Sequence, residues 1–201
     1  MLNMKCDYKK VTQTINYLIR KDSLASGINE LKIIKLIWAS DRYHLRKYAR
    51  TVSGDDYYAM KNGPVGSMIK DVAEFCDNSY SNLVSDNFPY IGSFIKFEKN
   101  NEYALLSSIN DVDYKELSKT DIEALDFAWN NFGSFDSNTL IEITHKYPEW
   151  KKHEDTITRN CGGREKINQA DFFLNPSVND DPFEMNHEAL INSKKIFLEY
   201  S

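Results

Sequence analysis

The chain has 201 residues, 41% of them hydrophobic and 13% aromatic, and a formal net charge of −5 with an isoelectric point near 5.4. This composition excludes a disordered chain and provides for a sizeable core. The acidic balance argues against a broad nucleic-acid footprint, which needs an extended basic face.

Residues 8–20 read as a first helix, with Val11, Ile15, Leu18 and Ile19 on one face. Gly27 is a suitable stop for it. Asn29 is placed to cap a second, long helix that carries Glu30 in its first turn. Ile34, Ile37, Trp38, Leu45 and Tyr48 then recur with helical spacing. Asp41 falls inside that apolar stripe, about 20° around the helix from Ile34. A buried carboxylate without partners is costly, so Asp41 is expected to be ionised and either held by donors or set at the rim of a binding site. Arg42 and His44 flank the stripe on opposite sides.

Tyr57-Tyr58-Ala59-Met60 has strand character, and Lys61-Asn62-Gly63-Pro64 breaks it. Pro64 suits the first position of a helix carrying Val65, Met68, Ile69, Val72, Phe75 and Cys76. The candidate donors for Asp41 are the free N–H groups at that helix start, the Lys61 ammonium and the tyrosine hydroxyls. Residues 77–87 read as loop. Residues 94–97 and 103–106 form an expected β-hairpin around residues 99–101, which with Tyr57–Met60 makes a small sheet.

Residues 117–131 are the next predicted helix. Ser118 and Asp121 form a relative of the capping box at its start, and Gly133 closes it. Asp136 or Ser137 opens a shorter helix, and Pro148 begins a brief helical turn. Residues 156–185 are rich in Gly, Asn, Asp and Pro and read as loop, with a short helix within 167–174. A last helix is expected over 188–200.

Cys6, Cys76 and Cys161 are odd in number and widely spaced, which is neither a disulfide framework nor a metal pair. No apolar run approaches a membrane span and no signal-peptide core follows the N-terminus, so the cytoplasm is the expected compartment. His145, His153, Cys161 and His187 lack helical ligand spacing, so no metal is expected, and no cofactor. Cys161-Gly162-Gly163-Arg164 could activate a thiol but sits in no recognisable catalytic signature. Asp41, Arg42 and His44 are the best catalytic candidates, since residues three apart can meet on one helix face. No nucleophile accompanies them.

The stretch LIWASDRYHLRKYARTVSGDDYYAMKNGPVGSMIKDV resembles the signature of the SocA-like Panacea domain, the antitoxin domain of many toxin–antitoxin pairs and of some phage-associated proteins. Asp41, Arg42, His44 and Leu45 match the pattern, as do Gly54, Asp55, Tyr58, Ala59, Gly63, Pro64 and Val65, while Ser40 stands where Ala is usual. A second block around Leu117-Ser118, Asp121, Gly133, Thr144-His145, Pro148 and Trp150 extends the resemblance over most of residues 10–153.

The fold class that follows is mainly α (α+β). Residues 1–155 would form a compact helical domain with a small β-hairpin or sheet, and residues 156–201 a separable loop-and-helix extension. The resemblance implies a binding protein, not an enzyme, that neutralises a cognate toxin by direct contact. Two alternatives stay open. One is an adaptor that hands a partner to an ATP-dependent, Clp-type protease. The other is a DNA-binding regulator of its own operon, supported by Arg42, Arg46, Lys47 and Arg50. Asp41, Arg42, His44, Tyr57, Tyr58, Lys61, Asn62 and Pro64 are the candidate partner-binding or structural motif, with exposed Tyr57 or Tyr58, Lys61 and the Arg42 face as contact points.

Overall fold

The chain folds around one helix, α2 (Glu30–Tyr48). In this computed structural model, residues 7–22, 27–74, 88–99, 104–159 and 163–200 are described. Asn29 caps α2 by accepting from the Leu31 N–H at 2.9 Å, and Ser137 Oγ donates to the same side-chain oxygen. The helix ends at Ala49, which takes a left-handed conformation (φ 58°) and returns its N–H to the Leu45 carbonyl. From Ile33 to Arg42 every residue is buried. A helix buried all round lies inside a domain and not on its surface.

The surrounding helices are α1 (Tyr8–Lys21), capped by Asp7, and α3 (Ser67–Ala73). They continue with α4 (Phe88–Phe94), α5 (Lys119–Phe132), α6 (Ser137–Thr144), α7 (Pro148–Lys151), α8 (Glu154–Arg159) and α9 (His187–Tyr200). A 3-10 helix covers Gln169–Phe173. The Ser118–Asp121 capping box forms in full, each side chain bonding the other's backbone N–H. Asp136 caps α6 through the Thr139 N–H. Among the described residues no helix is long and apolar enough to cross a membrane.

The strands form two small antiparallel sheets instead of one. β1 (Ile28–Asn29), β4 (Ile95–Lys99) and β5 (Ala104–Ser108) are ordered β1-β5-β4. β2 (Tyr57–Met60), β3 (Gly63–Gly66) and β6 (Glu165–Lys166) are ordered β3-β2-β6. The β4–β5 hairpin is the one expected from sequence, shifted so that Phe94 ends α4. The loop expected over 77–87 lies outside the described residues.

Pro64 does not start a helix. Gly63, with φ 98°, turns the chain back after Lys61-Asn62, and Gly63–Gly66 pairs with Tyr57–Met60. Pro64 lies opposite Ala59 on a strand at the edge of the sheet, where its missing N–H disrupts nothing. The helix begins instead at Ser67, after Gly66.

The boundary expected between residues 155 and 156 falls inside α8. The later residues bury Ile157, Ile167, Phe172, Phe173 and Phe183 in the same core as α2. Phe183 lies at its centre, with ring centroids 5.4 Å from Phe127, Phe132 and Tyr147 and 5.7 Å from Trp38.

Candidate functional site

Asp41 is fully buried. Its Oδ1 accepts the backbone N–H groups of Val52 (2.7 Å) and Ser53 (2.9 Å). Its Oδ2 accepts the Ser53 hydroxyl in a very short bond and the Tyr57 hydroxyl at 2.8 Å. The turn after α2 therefore wraps back onto the helix that precedes it. Burial pushes the Asp41 carboxyl above its usual range, and the four donors oppose that shift. Oδ1 faces backbone donors and must be unprotonated. Oδ2 faces two hydroxyls able to reverse their roles, so the site can hold the carboxyl in either state.

Tyr57 is thus one of the expected donors. The backbone donors are Val52 and Ser53, not the Pro64 segment, because Pro64 belongs to a strand. Lys61 is exposed and does not reach Asp41. Tyr57 is fully buried and cannot be a contact residue.

Ser53 links Asp41 to a second buried carboxyl. Its Oγ accepts the Asp55 N–H at 3.1 Å, and Asp55 Oδ2 accepts the Ile69 N–H at 2.8 Å. Burial raises the Asp55 carboxyl to about 6, the Ile69 and Met68 N–H groups oppose it, and the nearby Asp41 charge adds to it. Gly66 leaves room for this group, since a Cβ there would lie 2.6 Å from Asp55 Oδ2.

Arg42 turns inward on another side of α2. Its guanidinium meets Glu149 at 2.7 Å and the Leu174 carbonyl at 2.6 Å, and lies 4.6 Å over the Tyr147 ring. Trp38 Nε1 donates to the other Glu149 oxygen at 3.1 Å. Burial raises the Glu149 carboxyl, with Arg42 as the main opposing influence. Arg46, one turn on, has carbonyl and amide acceptors: Phe172, Phe183 and Leu174 carbonyls and Asn175 Oδ1. Burial lowers it to about 10, with Arg42 adding to the shift, so it remains a cation at neutral pH. The expected Arg42 contact face is therefore interior.

His44 does not meet Asp41. Its Nδ1 is 2.7 Å from the Arg50 carbonyl, an acceptor only, so the ring proton sits on Nδ1. Nε2 then accepts from the Thr120 hydroxyl at 3.0 Å. Burial lowers the imidazole to about 4, and it is neutral at pH 7. Asp121, 3.5 Å from Nε2, is paired with Arg50 and Lys10, both at 2.9 Å. Lys47 pairs with Glu123. The run of cations over 42–50 is consequently no free basic face: Arg42 and Arg46 are inside, and Lys47 and Arg50 are neutralised.

Lys35 is the charge that sequence reading missed. It is 1% exposed, its Nζ donates to the Pro64 carbonyl at 2.8 Å, and burial lowers it to about 7. A signal was present: Lys35 interrupts an otherwise apolar run from Ile33 to Ala39. Such a run is wider than one face and implies burial on every side. Across the turn, Trp150 Nε1 donates to the Met60 carbonyl at 2.8 Å, with His145 stacked on Trp150 at 3.6 Å. A Cβ at Gly63 would collide with Thr144 Oγ1 and lie 2.9 Å from Lys35 Nζ. The β2–β3 turn is thus fixed from beneath, with Lys61 and Asn62 exposed at its tip and Tyr58 half-exposed.

Among the described residues no group of three or more His, Cys, Asp or Glu side chains is placed to hold a metal ion. Cys161 lies outside the described residues.

The architecture is that of a mainly helical domain with small sheets, most of its signature residues turned inward around one central helix and Tyr58 half-exposed. The family described as antitoxin SocA-like, Panacea domain, matches residues 33–151, and the chain belongs to that family. No curated protein and no solved structure matches the chain significantly.

Proposed function

We propose that this protein is an antitoxin that neutralises a cognate toxin by direct protein–protein contact, without chemistry of its own. Membership of the SocA-like, Panacea-domain family over residues 33–151 carries the reading. The fate of the catalytic candidates is consistent with it. Asp41 and His44 face different neighbours, and each is occupied by structural hydrogen bonds. A standard interface buries about 1,600 Å² in total, which a protein of this size can present.

The test is co-expression. Induced alone, the neighbouring gene should arrest growth; induced with this protein, it should not, and the two products should purify as a complex. Turnover of a small substrate that disappears on His44→Ala, in a protein that melts like the parent, would contradict the reading.

A further inference from the structure

The two faces of β2 differ. Tyr57 and Ala59 are buried in the core, while Tyr58 and Met60 are half-exposed, Met60 still packing against the core's edge. Tyr58 stands opposite Lys166 of β6, and the Arg164 guanidinium lies 4.9 Å over the Tyr58 ring. At the end of β2 the turn exposes Lys61 and Asn62. This face therefore joins a tyrosine, a methionine and three cations, residue types suited to anchoring a protein interface. Lys166 is paired with Asp56 at 2.9 Å, and burial raises the Asp71 carboxyl, a shift that Lys70 and, more weakly, Arg164 oppose. Lys61 has no carboxylate within ion-pair distance among the described residues. On a chain of net charge −5 this is a locally basic surface.

It is also rigid. Lys35 holds the Pro64 carbonyl, Trp150 holds the Met60 carbonyl, and Gly63 packs without a side chain between them. A surface fixed before binding loses less conformational freedom on association. The hairpin comes from the part of the chain that matches the family, but Arg164 and Lys166 come from beyond it. The face is thus assembled from two segments.

We propose that the outer face of the β3-β2-β6 sheet, with its Lys61–Asn62 turn, is where the toxin docks, through an acidic surface of the toxin. The inference rests on the antitoxin reading. α9 offers a second exposed surface, with Ile191 and Ile196 50%, Leu198 56% and Tyr200 65% exposed. Those side chains lie on opposite flanks of the helix and present no single patch, so α9 serves as the rival in the test.

The probe is the product of the neighbouring toxin gene, assayed by growth rescue and by affinity for the purified full-length chain. Lys61→Glu with Arg164→Glu should leave the melt unchanged and weaken toxin binding at least about a hundredfold. The parent's affinity should fall as salt rises. Binding of the double variant within about threefold of the parent would overturn the proposal. So would an affinity indifferent to salt, or a comparable loss caused instead by Ile191→Glu with Leu198→Glu. Loss of duplex DNA binding in the double variant, with toxin binding intact, would overturn it in favour of a nucleic-acid surface. If the parent chain itself neither rescues growth nor binds, the antitoxin reading fails first and takes the toxin with it as occupant.

Discussion

The interior of α2 and the outer face of the β3-β2-β6 sheet contain similar residue types in opposite circumstances. Inside, Lys35, Asp41, Arg42, His44 and Arg46 are buried and bonded to main chain outside their own helix, both near it in sequence and far from it. Outside, Lys61, Arg164 and Lys166 stand in solvent beside Tyr58 and Met60. The inner set joins segments together, since each polar side chain ties the helix to main chain of another segment. The outer set is exposed, with Lys166 paired to Asp56, and is the surface proposed to bind. Charge on a helix in a binding protein is therefore not by itself a contact residue; burial and the identity of the acceptor decide.

The largest effect expected is from truncation. Ending the chain at Asp155 removes six core side chains, Ile157, Ile167, Phe172, Phe173, Phe183 and Leu190. It also strips Arg46 of all its hydrogen-bond acceptors. At about 2 kcal/mol per side chain the loss is about 12 kcal/mol, comparable with the whole stability of a domain. The truncated chain should show no cooperative melt. A sharp transition by circular dichroism would mean that the extension is separable after all.

Arg42→Ala comes next. It leaves Glu149 buried without its cation and removes the shorter of the two bonds to the Leu174 carbonyl, a change worth about 3–5 kcal/mol. Urea unfolding measures it, and adding Glu149→Gln to Arg42→Ala should recover part of the loss because it removes the stranded carboxylate.

Asp41→Ala strands the Val52 and Ser53 N–H groups and the Tyr57 hydroxyl, and should cost about 3 kcal/mol. Asp41→Asn should cost about 1 kcal/mol, because its oxygen still accepts both N–H groups and its amide can donate to the two hydroxyls.

A further effect concerns pH. The Asp55 carboxyl is raised by burial to about 6 in the folded protein, above its ordinary 3.8. The folded state therefore binds this proton more tightly than the unfolded state. The contribution is complete below about pH 4 and is lost as pH rises through about 6. Asp55→Asn removes that descent. Relative to the parent, the variant should gain about 2 kcal/mol between pH 4 and pH 7 in paired urea titrations. Parallel pH profiles would show that Asp55 ionises normally.

Much of this was legible in the sequence where the signal is local. Asn29, Ser118 and Asp136 cap the helices they were expected to cap, since a cap bonds residues two or three away. Asp41 was legible as a buried carboxylate because helical period fixes its face. Its partners were legible only in part. Tyr57 was among them, but Val52 and Ser53 depend on a turn whose path no periodicity encodes. Glu149 was missed as the partner of Arg42, 107 positions away, since pairing over that distance is set by packing alone. Pro64 misled because proline suits both a first helical turn and an edge strand, and the choice was made by Gly63 and by pairing with β2.

The central claim is that the inner set builds the fold and the outer set binds. It is tested most directly by measuring urea stability and toxin affinity on the same two proteins, Asp41→Asn and the Lys61→Glu/Arg164→Glu double variant. The account predicts that Asp41→Asn loses stability but, where still folded, binds the toxin as the parent does. It predicts the reverse for the double variant, parental stability with affinity lost. A folded Asp41→Asn protein that melts like the parent yet no longer binds the toxin would contradict it.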